Sequence, residues 1–150
     1  MEKLHISLIF SKLEVIKPIV YIITRMHNFI VKFGKILDIF KKFAGNRVND
    51  LGNMPRRGVV PKFSDLEVLA LSATAEVFGI DSENYLFHRL KNECPDRFPN
   101  LITRRQYNQR RKLTYSLGEE IRKDIVSAMD GGEDVFSIDS KPIKVCQNAR

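Results

Sequence analysis

Two four-residue signatures constrain this chain most: Ser64-Asp65-Leu66-Glu67 and Thr103-Arg104-Arg105-Gln106. Each is a hydroxyl residue followed three positions later by Glu or Gln. The hydroxyl accepts from the third helical N–H while the longer side chain reaches back to the cap's own N–H, so two orphan donors are satisfied together. Each signature fixes where a helix starts. Behind the first, Leu66, Leu69, Ala70, Ala73 and Val77 recur at helical spacing and predict a helix to about Phe78 with that face buried. Gly79-Ile80-Asp81 predicts a tight break, and Ser82 caps a second helix through about Asn92, with Tyr85, Leu86 and Leu90 facing inward and Pro95 preventing continuation. Behind the second signature, Leu113, Leu117, Ile121, Ile125 and Ala128 predict one long helix to about Met129, ended by Gly131-Gly132. Gly118 weakens that helix by about 1 kcal/mol relative to alanine without breaking it.

Upstream, apolar residues from Leu4 to Phe43 also follow a helical period, with Phe29, Phe33, Ile36, Leu37 and Phe40 on one stripe. Pro18 divides this stretch into two helices, the second reaching about Ala44 and closed by Gly45-Asn46. Lys12, Glu14, Lys17 and Arg25 interrupt the apolar run, which falls short of the roughly 20 residues a membrane span needs. No small-residue cleavage site is evident, so the expectation is a cytoplasmic protein with no membrane partner. So apolar a first helix is expected to pack on another helix or on another subunit, which admits a homo-oligomer. Residues 45–62 contain three glycines, two prolines and no helical period, and predict a linker or extended arm.

Charge narrows the partner. Lys and Arg number 25 against 18 Asp and Glu, a net +7 that favours a polyanion. The densest positive charge is Arg104, Arg105, Arg110, Arg111 and Lys112, interleaved with Gln106, Tyr107, Asn108 and Gln109. Arginine can bridge two acceptors on guanine, Asn and Gln can do so on adenine, and any of them can hold phosphate. Arg56 and Arg57 in the arm could follow a phosphate backbone or a minor groove. With helix, glycine turn and helix ahead of the basic segment, the pattern reads as a helix-turn-helix-like region for double-stranded DNA. A solvated helix face and a solvated linker are the plainer readings of the same residues.

Metal and nucleophile signatures are sparse. Cys94 and Cys146 stand far apart, with neither zinc-ligand spacing nor a disulfide framework. His5, His27 and His88 match no ligand pattern, and no phosphate-binding glycine loop, nucleophile elbow or HExxH motif is present. The remaining candidate is at the C-terminal end. Val135 to Asp139 alternates like a strand and ends in a carboxylate, Ser140-Lys141-Pro142 makes a turn, and Ile143-Lys144-Val145 begins a partner strand. Two-metal phosphoryl transfer starts from such a carboxylate but needs several, converging from different elements. A strand-end aspartate is also a common turn former.

The block Phe136-Ser-Ile-Asp-Ser-Lys-Pro-Ile-Lys-Val-Cys-Gln-Asn-Ala-Arg150 resembles the region around the first catalytic aspartate of bacterial insertion-sequence DDE transposases, above all the insertion-sequence nine-eighty-two family. The Phe63-Ser-Asp-Leu-Glu-Val helix start, the Asn84-Tyr85 helix and the Phe98-Pro-Asn-Leu segment resemble its N-terminal half, so the likeness spans roughly residues 63–150. Added to the N-terminal helices over 1–45 and the linker or arm over 46–62 read above, it implies a mainly α chain with a helical DNA-binding region over 63–130 and, over 131–150, the first β-hairpin of an incomplete RNase H-like α/β domain. It also implies that Asp139 is the first acid of a catalytic triad and a ligand to Mg2+. The second aspartate and the glutamate would lie beyond Arg150, so this chain is expected to hold no stable Mg2+ and to be inactive alone. The implied function is transposition, with binding to element ends. The alternatives are a non-enzymatic DNA-binding regulator, an inactive transposase fragment that occupies ends or forms mixed oligomers, and a helical interaction module.

Overall fold

A computed structural model describes residues 25–129, and these are mainly helical. Helix α1 occupies residues 25–44 and is followed by a 3-10 turn, Gly45–Arg47. Then come α2 (Asp65–Val77), α3 (Glu83–Glu93), a 3-10 turn at Pro95–Arg97, α4 (Arg104–Leu113) and α5 (Tyr115–Met129). No strand occurs among the described residues. The expected hairpin, with Asp139, lies outside them, as do the helix before Pro18 and the Gly131-Gly132 stop.

Both capping boxes form as the sequence predicts. Ser64 Oγ accepts from the Glu67 amide while Glu67 accepts from the Ser64 amide, and Thr103 and Gln106 do the same for α4. The start of α2 is covered further. The Asn53 side chain accepts from the Asp65 amide and the Gly52 carbonyl from the Leu66 amide, so the first three N–H groups of α2 all have partners. Gly52 sits at φ 80°, a left-handed backbone that glycine adopts without penalty, and a Cβ there would lie 3.3 Å from Ser64 Oγ. The first part of the 45–62 segment is therefore folded onto α2. At the other end, the Ile80 amide donates to Ala75 O and the Gly79 amide to Glu76 O, with Gly79 at φ 62°: the paired bonds of a Schellman stop.

Helix α2 is the central element. Val68, Leu71 and Ala75 face one core with Met26 and Phe29 of α1, Leu86, Phe87 and Leu90 of α3, and Tyr107 of α4. Leu66 and Leu69 face a second core with Ala44 of α1 and with Leu117 and Ile121 of α5, flanked by Leu37, Phe40 and Ile125. Helix α1 thus spans both cores. Its ends are pinned: Arg25 donates to Phe78 O beyond α2, and Arg47 bridges Glu120 and Asp124, one turn apart on α5.

Three expectations need correction. The single long helix is two, interrupted between Leu113 and Tyr115 at Thr114, whose hydroxyl donates to Arg110 O (2.9 Å), whereas α5 runs through Gly118 unbroken. Leu113 and Ala128, placed on the apolar stripe, are exposed at the two ends of it, while Leu117, Ile121 and Ile125 between them pack into the second core. Val77 and Tyr85 also point outward, at 60% and 49% exposure; α2 buries Val68 and Leu71 on a second side, and α3 turns Phe87 inward in place of Tyr85.

Candidate nucleic-acid interface

At 100° per residue, eight of the ten residues of α4 sort into three parallel stripes, the first of them continued by Thr114 just beyond the helix. Tyr107, Arg110 and Thr114 face the protein. Arg104, Asn108 and Arg111 face the start of α3. Arg105, Gln109 and Lys112 face solvent.

Along the first stripe, Tyr107 is 1% exposed and packs its ring on Phe87, with centroids 5.2 Å apart. Burial pushes its phenol pKa upward. Arg110, expected to contact DNA, is instead mostly covered: it donates to Phe63 O and, at 2.6 Å, to Asp65 Oδ1. Its Nε is buried without a partner. Asp65 has no solvent exposure and also accepts from Arg56 and from the Met54 amide. Burial alone would raise the Asp65 pKa; the bonds from Arg110, Arg56 and Met54 outweigh it and hold the carboxyl below its ordinary 3.8. One buried acid thus ties α4, the arm and the start of α2 together, and it engages two of the arginines that the sequence assigns to DNA.

The second stripe converges on Glu83, the first residue of α3. Its carboxylate accepts from Asn108 Nδ2 at 2.9 Å, lies 3.3 Å from Arg111 and 3.9 Å from Arg104, and is 18% exposed. The Arg111 guanidinium also lies over the Tyr107 ring, 6.0 Å from its centroid. Gln106 is exposed and occupied by its capping bonds to Thr103. The third stripe is open. Arg105, Gln109 and Lys112 are exposed, as is Arg57 in the arm. None of the three cations forms an ion pair among the described residues. No acid lies within α4 itself.

Sequence reasoning missed Glu83 and Asp65 as partners of the basic helix. Both are acids in the first turn of a helix, where the dipole alone accounts for them. Only the short path from α3 to α4 hinted that Glu83 would meet the basic segment. Among the described residues no cluster of His, Cys, Asp and Glu is arranged to hold a metal ion, and no helix is long and apolar enough to cross a membrane. Comparison with protein-family models, curated proteins and solved structures finds no significant match.

Proposed function

We propose that this chain is a DNA-binding protein of insertion-sequence transposition, which grips duplex DNA at element ends through the solvent stripe of α4. The observation that supports the binding is the stripe itself: Arg105, Gln109 and Lys112 share one uncovered face of a packed helix, without acidic partners among the described residues. Two such cations can neutralise phosphates, and Gln109 has the donor and acceptor needed to read adenine. Helices α2 and α3 act as the helix-turn-helix-like platform that presents α4, and Arg57 extends the basic surface into the arm. The transposition half of the reading rests on the sequence likeness over residues 63–150, with Asp139 as first acid and Mg2+ as the metal of the complete site.

Fluorescence anisotropy with a mixed-sequence 30-bp duplex tests the binding. Paired replacement Arg105→Ala and Lys112→Ala should weaken affinity by roughly 30-fold at 0.15 M salt and flatten the log–log salt slope by about 1.8, as two lost phosphate contacts require. Unchanged affinity and slope would sink the proposal. The transposition half has its own test. The chain should prefer the terminal sequences of its host element over a mixed duplex. Binding without such a preference would favour a non-enzymatic regulator.

A further inference from the structure

We infer that Glu83 is a specificity-determining positioning residue of the α4 surface: it holds Asn108 and Arg111 in place as base readers and, by neutralising Arg104 and Arg111 in part, gives up phosphate affinity for discrimination. The inference rests on the DNA-binding reading above and deepens it.

A carboxylate aimed into a face that binds a polyanion works against that binding. Glu83 is nonetheless the acid on which the whole second stripe of α4 converges. Asn108 donates to it at 2.9 Å, and the Arg111 and Arg104 guanidiniums lie at 3.3 and 3.9 Å. Glu83 is itself fixed, because it opens α3 directly after Ser82, whose hydroxyl caps the helix. At 18% exposure it is shielded enough for its hydrogen bond to Asn108 to be strong, yet open enough for a ligand to approach the same donors. Asn108 spends one donor on Glu83, so the orientation of its amide is set and its remaining donor and acceptor point elsewhere. Arg111 is held between Glu83 and the Tyr107 ring and presents the rest of its guanidinium along a defined direction. Long side chains restrained before binding lose less freedom on binding, and restraint in one geometry penalises the wrong base.

Two variants separate the charge from the hydrogen bond. Glu83→Gln removes the charge and keeps an acceptor for Asn108; Glu83→Ala removes both. Binding to a mixed-sequence duplex should tighten roughly fivefold at 0.15 M salt in either variant, with a salt slope steeper by about 0.9, the effect of one further released counterion. A duplex selected from a random library by the unaltered protein gives the second reading. The ratio of its affinity to that of the mixed duplex should fall by roughly fivefold or more in Glu83→Ala. It should fall less in Glu83→Gln. A merely structural role for Glu83 would alter the melting temperature and leave the salt slope unmoved. Unchanged slope and unchanged discrimination in a protein whose binding still depends on Arg105 and Lys112 would overturn this inference alone. No salt-dependent binding by the unaltered protein would overturn both it and the reading beneath it.

Discussion

At Asp65, a carboxylate with no solvent exposure lies between the guanidiniums of Arg110, 12% exposed, and Arg56, 31% exposed. Replacing such a pair by apolar residues can be neutral, but removing one partner strands a charge where water cannot reach it. Asp65→Asn should therefore destabilise the protein by about 3–5 kcal/mol, read from urea unfolding. Acid has a related effect. Because the folded carboxyl titrates below its ordinary 3.8, its contribution is fully present above the unfolded value and is lost as pH falls through the folded one. The stability gap between the unaltered protein and Asp65→Asn should stay constant from pH 7 to about pH 5 and narrow below about pH 4. A gap that widened on acidification would contradict a lowered pKa. The same geometry separates two arginines that look equivalent in sequence. Arg110→Met should cost stability, whereas Arg105→Ala should change it by no more than about 0.5 kcal/mol, as for an exposed side chain that forms no ion pair among the described residues.

Helix α5 passes close enough to α2 that a Cβ added at Gly118 would lie 3.1 Å from Leu69 Cδ2. Both residues line a groove of about 750 Å³, so the tip of Leu69 has room to move aside. Gly118→Ala should thus recover most of the roughly 1 kcal/mol that glycine costs inside a helix and raise Tm by about 2–4 °C. A lower Tm would show that Leu69 cannot yield. Elements whose chemistry is local were legible in the sequence. Ser64 with Glu67, Thr103 with Gln106, and Gly79 each act within a few residues, and all three appear where the residues predict them. The interruption at Thr114 was not legible, because a threonine inside an apolar period carries no mark of a break: Thr74 turns its hydroxyl to Ala70 O within α2, which runs on unbroken. Nor was the fate of Arg110 legible: its partner Asp65 lies 45 positions away, and an arginine in a basic run carries no local mark of burial. The open stripe of Arg105, Gln109 and Lys112 was half legible. The residue types could be read from the sequence, and their separation from the buried and Glu83-facing stripes followed only once the packing of α2, α3 and α4 fixed the rotation of the helix.

For the molecule as a whole, net charge and usable charge differ. The sequence offers seven cations to a polyanion: Arg56, Arg57, Arg104, Arg105, Arg110, Arg111 and Lys112. Arg56 and Arg110 share Asp65, where a phosphate could replace the carboxylate only by opening the packing between α2 and α4. Arg104 and Arg111 share Glu83, which leaves the pair about one net charge. Arg57, Arg105 and Lys112 are uncommitted among the described residues. On the proposed DNA-binding reading, the α4 surface and its arm therefore offer about four charges to phosphate, each contact contributing close to 0.9 to the salt slope. The slope expected from this surface is roughly −3 to −4, where seven independent contacts would give roughly −6. Titrating binding to a mixed duplex between 0.05 and 0.3 M salt measures it directly. Asp65→Asn offers the internal control, since freeing Arg56, 31% exposed, should steepen the slope by at most about 0.9 while Arg110 stays covered, provided circular dichroism shows the helices intact. A slope near −6 in the unaltered protein would mean that DNA draws arginines away from Asp65 or Glu83, and that the acids this fold places against its basic helix are exchanged for phosphate when the complex forms.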